Sequence, residues 1–322
     1  MSDATLSALS NIRTKVRRLT RNPSTAQLSD ADLDEYVNNF ILYDMPAHIE
    51  LNTFKTVLTF YTKPNIDTYS TSDEPGEPLY NFKNKYSNIQ SPIYIAGEKA
   101  SFSQSMDSFY SSYPKTESRI NAATGDGVTT NFTGTLSNIP VLRKHVIFSS
   151  VGVAGEDLLI TDDDGDGILS GDIGAGSTID YVTGVYDITF DAAPESQETV
   201  YLSTVPYTAY KPSSIIFMEN EFTVRPVPDG AYSVAVTAYI RPTEMDNATD
   251  LPELSEFWQY IAIGSAIKLL QDRLDMDTVQ LLMPEFQNQE KLIGRRRIVQ
   301  NSGKRTATIF TSGYNNDFMG DE

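Results

Sequence analysis

The sequence predicts an α+β protein. We expect helices from both chain ends to pack as one layer, beside a central antiparallel β layer that carries an inserted small all-β domain. Three patterns predict this: helical apolar spacing at both ends, β-branched and aromatic runs between them, and a Gly-, Thr- and Asp-rich stretch within those runs. At 322 residues, the chain exceeds one ordinary core, which indicates two domains or one domain with an insertion.

Residues 1–50 are predicted to form two helices. The first has apolar side chains at helical spacing with arginines on its other side, and Asn22–Pro23 interrupts the pattern. At the start of the second helix, Ser29 and Asp32 match a capping box with a shortened acid, and Pro46 ends this helix. The apolar positions are Leu6, Leu9, Ile12, Val16 and Leu19 in the first helix, and Leu33, Tyr36, Val37, Phe40 and Ile41 in the second.

The β layer is predicted in two parts, residues 51–120 and residues 207–250. In the first part, residues 54–60 form an alternating β-branched and aromatic run, and Ile93–Ile95 predicts a second short strand. In the second part, the turn residues Pro228–Asp229–Gly230 predict a hairpin between the last two of three strand-like runs. These runs are Ser214–Met218, Glu221–Arg225 and Tyr232–Ile240.

Residues 121–206 are predicted to be an inserted acidic β module. Short apolar runs separated by turns are typical of a small all-β fold. The segment contains thirteen acidic residues against two basic ones, Arg143 and Lys144, which gives −11 of the chain's net charge of −18. This imbalance indicates a module with its own solvent-facing surface.

Residues 251–300 are predicted to be helical, and residues 301–322 form a tail. Leu254, Phe257, Trp258 and Ile261 make one apolar stripe, and a further helix is predicted from near Glu285. Three small residues that favour close helix packing follow the stripe, and a basic cluster follows the further helix. The small residues are Gly264, Ser265 and Ala266, and the basic cluster comprises Arg295, Arg296, Arg297, Lys304 and Arg305.

The composition narrows the classes of function. A net charge of −18 disfavours binding of nucleic acid or of an anionic lipid surface, because both depend on cations. No cysteine is present, which excludes disulfides, thiolate metal sites and cysteine nucleophiles. The longest apolar stretch, residues 261–270, contains Ser265 and Lys268, so no membrane partner is expected. We expect a protein that is not an enzyme.

One acidic turn resembles the start of a calcium loop. Asp162, Asp164 and Asp166 occupy the first, third and fifth positions of such a loop, and Gly167 occupies the sixth. Position twelve is Ile173 instead of a bidentate glutamate. The alternatives are therefore a calcium site on these three aspartates or an acidic turn between two strands. No other cofactor is expected.

The two histidines, His48 and His145, are expected to have structural or surface roles. They are far apart in the sequence, and the local sequence offers His145 no carboxylate to orient its ring.

The basic cluster is expected to bind a salt-bridge partner on another protein in preference to nucleic acid. Arg17 and Arg18 fit either the same role or an exposed helix face.

Several segments resemble proteins of tailed bacteriophages. Residues 251–277 (LPELSEFWQYIAIGSAIKLLQDRLDMD), 283–300 and 304–314 resemble the C-terminal segment of head-to-tail adaptor proteins, also called connector or neck proteins. Residues 12–46 resemble the start of such phage structural proteins, and so do residues 221–242. The runs LLITDDDGDGILSG and TIDYVTGVYDITF, within residues 121–206, are similar to a small β module found in several kinds of virion protein.

This resemblance implies a virion protein at the head-to-tail interface, made in the host cytoplasm. The family forms rings, commonly of twelve copies, which dock beneath the portal protein, contact other neck or tail proteins and extend the channel through which DNA passes without specific binding. Trp258, with Gly264, Ser265 and Ala266, is then expected at the ring interface. The portal contact is expected from Arg295, Arg296, Arg297, Lys304, Arg305, Thr306, Thr308 and Phe310.

Two placements and a second function stay open at this point. The ring docks either directly on the portal or lower, as a collar or gateway ring. The alternative function is a collar, tail or decoration protein whose inserted β module binds a receptor, a glycan or a neighbouring virion protein, with or without calcium. A cell-wall enzyme is disfavoured, because the sequence has no recognised hydrolase motif.

Overall fold

The computed structural model describes residues 6–22, 24–45, 54–71, 79–174 and 176–301, with the backbone alone for residues 296–301. The predicted α+β class is confirmed, because the described residues form both helices and β-sheets. The helices are α1 (Leu9–Leu19), α2 (Asp30–Asn39), α3 (Phe82–Lys85), α4 (Met106–Ser112), α5 (Trp258–Asp272) and α6 (Met276–Asn301). The strands are β1 (Lys55–Tyr61), β2 (Thr68–Ser70), β3 (Tyr86–Ile95), β4 (Glu98–Ser103), β5 (Ser118–Thr124), β6 (Asn131–Thr135), β7 (Ile147–Val151), β8 (Asp157–Thr161), β9 (Ile168–Gly171), β10 (Ser177–Ile179), β11 (Val185–Thr189), β12 (Thr199–Thr204), β13 (Ser214–Met218), β14 (Glu221–Arg225) and β15 (Ser233–Ile240).

The chain divides into two compact units. The helical unit contains the described residues within 1–57, 83–90 and 237–322, and the β unit contains those within 58–82 and 91–236. In the helical unit, α1, α2 and α5 bury their apolar stripes in one core, together with Ile293 of α6. The Ser29–Asp32 capping box of α2 is present with both of its hydrogen bonds, as predicted.

Helix α5 is surrounded by other parts of the helical unit, and its small residues allow one close approach. A Cβ atom on Gly264 would lie 2.2 Å from ring atoms of Phe40. The Phe40 ring is held there by Tyr260 and Phe286, whose ring centroids lie 5.3 and 6.2 Å away. Gly264 is therefore needed for the packing of α5 against this aromatic cluster.

Helix α6 begins at Met276, nine residues before the start predicted near Glu285. Asp275 stabilises this start, because its carboxylate accepts hydrogen bonds from the backbone N–H of Thr278 (3.2 Å) and from the Thr278 hydroxyl (2.7 Å). Pro284 lies inside the helix, where it has no N–H to donate to the carbonyl of Gln280. Gln280 is exposed, so water can satisfy that carbonyl.

The seven-stranded sheet has the order β1-β15-β3-β4-β13-β14-β2. The predicted hairpin between the last two strands is wrong, because β14 pairs with β13 and β2 and not with β15. The actual hairpin joins β13 to β14 through Glu219 and Asn220, whose φ values of 51° and 66° fit a two-residue turn of the primed type.

The same sheet is mixed, which corrects the expectation of a purely antiparallel layer. Strands β4 and β13 pair in parallel, with Ser214 opposite Ser101. Parallel neighbours need a long connection between them. Here the connection contains the whole eight-stranded sheet. The eight-stranded sheet is therefore inserted in the chain between β4 and β13, two adjacent strands of the seven-stranded sheet.

The eight-stranded sheet has the order β5-β12-β7-β8-β9-β10-β11-β6 and extends from Ser118 to Thr204. Strands such as β8 and β11 alternate buried and exposed residues. The buried residues of β7 to β12 share one core. Phe148 of β7 and Tyr186 of β11 pack there with ring centroids 5.2 Å apart. The domain boundaries drawn from the sequence stay predictions.

Candidate functional site

The first aspartate of the acidic turn points into the β unit. Asp162 is 4% exposed, and both of its carboxylate oxygens accept hydrogen bonds. Oδ1 accepts the backbone N–H of Gly165 at 3.0 Å, and Oδ2 accepts the backbone N–H of Lys144 at 2.6 Å and the Tyr181 hydroxyl at 2.8 Å. Asp162 therefore fixes the turn to neighbouring segments of the same chain.

The three aspartates predicted to bind calcium do not converge. Asp164 and Asp166 are exposed, unlike Asp162, and Asp166 accepts the backbone N–H of Ile168 at 2.8 Å. Within the described ranges, no three histidine or acidic side chains form a group that could hold a metal ion. Gly167 has a φ of 90°, and a Cβ there would lie 2.7 Å from the Ile179 carbonyl oxygen, so this glycine is explained by the turn alone.

Arg143 connects the acidic turn to Tyr181. Its Nη1 donates to the carbonyl oxygen of Gly165 at 2.8 Å, and its guanidinium carbon lies 4.9 Å from the centroid of the Tyr181 ring. Burial raises the pKa of Tyr181 first, and its hydrogen bond to Asp162 raises it further. The hydroxyl therefore stays protonated and remains a donor to Asp162 over the neutral range.

A cleft of about 470 Å³ lies in the β unit beside this turn. Five separate segments line it: β2 with the two residues before it, α4 with the loop after it, the segment before β7, the acidic turn, and the hairpin from β13 to β14. Each segment contributes a charged or aromatic side chain. The charged and aromatic lining residues are Asp67, Tyr110, Lys115, Arg143, Lys144, His145, Asp164, Glu219 and Glu221.

One carboxylate of the cleft is neutralised by a buried arginine. Asp67 forms a salt bridge with Arg225, which is 5% exposed. In the part of the chain that the structure describes, Nη2 of Arg225 and Nε of Arg143 are buried and have no hydrogen-bond partner. Such unpaired buried donors are rare in folded proteins, and each needs an explanation.

The cationic groups of the cleft disfavour each other's charged forms. The amine of Lys115 lies 4.7 Å from the Tyr110 ring centroid, and its partial desolvation lowers its pKa, as does the charge of Arg225. Burial lowers the pKa of His145 first, and the charge of Lys115 lowers it further. The negative charges of Asp67 and Glu117 raise the pKa of His145 and so partly offset this lowering. His145 is therefore near a carboxylate after all, although no local sequence signal indicated this.

The residues predicted for a ring interface are mostly internal. Ser265 and Ala266 are fully buried, Gly264 contacts Phe40, and the Ser265 hydroxyl donates to the carbonyl of Ile261 at 2.8 Å. Packing within one chain accounts for these small residues, and they offer no exposed surface to a neighbouring subunit. Trp258 is half-buried at the start of α5, against the helical core.

Most of the predicted portal-binding residues lie outside the described part of the chain. Arg295 is exposed on α6, and Arg296 and Arg297 belong to the same helix, with their side chains not described. The others that fall outside are Lys304, Arg305, Thr306, Thr308 and Phe310, and His48 is outside as well.

The arginines of α1 have partners in the same chain. Arg13 binds Asp34 through Nε at 2.6 Å, and Arg17 binds Asp30 through Nη2 at 2.6 Å. Arg18 is exposed. Arg17 is thus held within the helical unit, while Arg18 keeps either of its two predicted roles.

An exposed strip on α6 was missed by the sequence analysis. The outer strip consists of Leu281, Pro284, Asn288, Leu292 and Arg295, which recur at helical spacing and are all exposed. Leu281 is 74% exposed, and Leu292 lies three turns further along the same face. The helical spacing of these residues is visible in the sequence. The predicted helix start near Glu285 excluded Leu281 and Pro284, so the strip was not recognised.

The chain matches no protein-family model and no curated protein. None of the described helices combines the length and apolar character that a membrane-spanning helix requires.

Proposed function

We propose that the chain is a structural protein of the phage virion neck, a head-to-tail connector ring that joins the portal to the tail and extends the DNA channel. The observation that carries the proposal is the outer strip of α6. Four of its five residues, from Pro284 to Arg295, lie in residues 283–300, whose sequence resembles the C-terminal part of head-to-tail adaptors.

The outer strip is suited to a contact between copies of the chain. The inner face of α6 is already used, because Val279, Phe286 and Ile293 pack on other helices. The opposite face leaves Leu281 and Leu292 in solvent. Exposed apolar patches mark protein interaction sites, and Leu281, Pro284 and Leu292 follow one another along this face. A closed ring needs such a patch against a different surface of the next copy.

The charge of the chain supports a channel through which DNA passes. DNA affinity depends on cations that replace counterions at the phosphates. A ring of subunits with a formal charge of −18 each has a lumen that does not retain DNA if carboxylates line it. We place the basic end of α6, beginning at Arg295, at the contact with the portal, and we expect twelve copies as in the resembling family.

The proposal is tested by the mass of the purified full chain in solution. Light scattering after gel filtration is expected to give a large closed assembly, and electron microscopy is expected to show rings. The double variant Leu281→Ser/Leu292→Ser is expected to be monomeric and to keep the circular dichroism spectrum of the folded chain. Leu159→Ser, at an exposed leucine of β8, is the matched control and is expected to keep the assembly.

A wild-type chain that stays monomeric at all concentrations, both alone and with the portal protein, contradicts the connector proposal. Loss of the assembly in the Leu159→Ser control as well would contradict the role given to the outer strip.

A second candidate function is a collar, tail or decoration protein whose β module binds a ligand. The cleft beside the acidic turn favours it, because the volume of about 470 Å³ lies within the range of small-molecule sites. The two functions are compatible in one chain.

A further inference from the structure

We propose that the cleft of the β unit binds a small sugar through an oxyanion, a phosphate or carboxylate group carried by that sugar. The inference rests on the second candidate function, to which it gives a ligand class, and it does not depend on the neck assignment.

Cations from different segments converge on the cleft. Lys115 follows α4, whereas Arg143 and Lys144 precede β7, and all three line the same cleft. Of the acidic lining residues, Asp67 is neutralised by Arg225. Cations brought together from distant segments are not explained by a local turn, and they are the groups that recognise phosphate and carboxylate oxygens.

One guanidinium nitrogen of a cleft residue has no hydrogen-bond acceptor among the described residues. Arg143 lines the cleft, and its Nη1 is bound to Gly165, but its buried Nε has no acceptor among the described residues. Arg225, which pairs with Asp67, likewise has a buried nitrogen, Nη2, with no acceptor among the described residues. Nε is closed to solvent in this structure, so an oxyanion gains it as a donor when the Arg143 side chain turns toward the cleft, and guanidinium groups bind such acceptors well.

The carboxylates of the cleft determine what the rest of the ligand can be. Asp164, Glu219 and Glu221 line the same cleft, and the first two are exposed. These carboxylates would repel a purely anionic ligand, but they accept hydrogen bonds from hydroxyl groups. A sugar that carries one oxyanion and several hydroxyls satisfies both sets of charged residues, and Tyr110 provides a ring for its apolar face.

The lowered pKa values of Lys115 and His145 provide a readout that does not depend on an enzymatic assay. Each is lowered partly by a neighbouring cation, Arg225 for Lys115 and Lys115 for His145. An oxyanion bound between them favours their charged forms and therefore raises both pKa values. His145 is one of only two histidines, so its ring proton signal is resolved readily by NMR.

The experiment uses the full chain and four probes: glucose 6-phosphate, glucuronate, inorganic phosphate and glucose. We expect at least one of the two sugar oxyanions to bind at millimolar concentration or tighter in calorimetry, more tightly than glucose and inorganic phosphate. Its binding is expected to raise the pKa of His145 in an NMR titration, with a His48→Gln variant to assign the signal. Binding of glucose 6-phosphate alone identifies a phosphate ester, and binding of glucuronate alone identifies a carboxylate sugar.

Two variants test the named residues. Arg143→Gln and Lys115→Gln are each expected to weaken sugar-oxyanion binding by about tenfold or more, which corresponds to the loss of one charge-assisted hydrogen bond. Lys99→Gln, at an exposed lysine of β4 outside the cleft, is the control and is expected to keep the affinity. Lys115→Gln removes no hydrogen bond within the turn, so it remains informative if Arg143→Gln fails to fold.

Three outcomes overturn the inference: no binding of either sugar oxyanion, binding that leaves the pKa of His145 unchanged, or equal affinity for glucose. Equal affinity for glucose would leave the binding-module function in place, so the two failures are distinguishable.

Discussion

Tyr181 donates its hydroxyl hydrogen to the same carboxylate oxygen of Asp162 that accepts the backbone N–H of Lys144, at 2.8 and 2.6 Å. One buried oxygen thus joins the segment before β7 to the segment after β10. The acidic turn has an internal, structural first residue and outward-facing later ones. The regular spacing of its aspartates therefore does not mean that they share one role.

We predict that Asp162→Ala lowers the free energy of unfolding of the β unit by about 2–4 kcal/mol, because three donors lose their acceptor. Asp164→Ala, at an exposed aspartate of the same turn, is expected to change it by less than about 0.5 kcal/mol. Urea unfolding monitored by far-UV circular dichroism measures both. Equal effects in the two variants would show that the burial of Asp162 is unimportant.

A pair of glycine variants tests the packing of the helical unit. Gly264→Ala places a methyl group 2.2 Å from the Phe40 ring, so we expect a loss of about 1–3 kcal/mol. Gly294→Ala, in α6, meets no atom within 4 Å and is expected to gain about 0.5–1 kcal/mol, because alanine favours a helix. Thermal unfolding measures both changes. A stabilising effect of both variants would contradict the close contact with Phe40.

The buried salt bridge between Asp67 and Arg225 is expected to be sensitive to loss of one partner. Asp67→Ala leaves a buried guanidinium uncompensated, so we predict a loss of about 3–5 kcal/mol. Glu98→Ala breaks the more exposed pair with Lys211, where N and O lie 2.8 Å apart, and is expected to cost less than about 1 kcal/mol. If chemical unfolding gives the same cost for both, burial does not govern the Asp67 pair.

Alkaline pH is expected to destabilise the β unit through Tyr69. Burial raises the pKa of Tyr69 to about 12 from an ordinary value of 10.0. The folded state therefore holds the phenol proton more tightly than the unfolded state. The resulting stabilisation is complete below pH 10 and is lost as the pH rises through about 12, by up to about 2–3 kcal/mol.

The variant Tyr69→Phe removes this contribution, so its stability is expected to fall less steeply above pH 10 than that of the wild type. Tyr210→Phe, at an exposed tyrosine, is the matched control and is expected to keep the wild-type profile. Urea unfolding at a series of pH values gives the slopes. An unchanged slope in Tyr69→Phe would contradict the prediction.

Features set by neighbouring residues could be predicted from the sequence. The capping box at Ser29 needs only a hydroxyl and an acid three residues apart, and the alternation of residues 54–60 is sufficient to identify β1. Helix α6 starts earlier than the position predicted near Glu285, and the exposed carbonyl of Gln280 lets this helix include Pro284.

Features set by distant residues could not be predicted. The parallel pairing of β4 with β13 depends on a connection more than a hundred residues long, which no local pattern reveals. The sequence predicts a hairpin at Pro228–Asp229–Gly230, which is a strong local turn signal, but the strands on either side of it do not pair. The cleft joins Asp67, Lys115 and Arg143 from three segments, so their charges became neighbours only in the folded chain.

Ser118 and Thr204, the first and last strand residues of the eight-stranded sheet, are cross-strand partners. The backbone enters and leaves this sheet at points about 5 Å apart. Recombination at this position can therefore add, remove or exchange the entire eight-stranded sheet, because a short loop is long enough to span the same gap. The remaining framework would keep its own strand pairings, and related chains are expected to differ most in what they carry between these two residues.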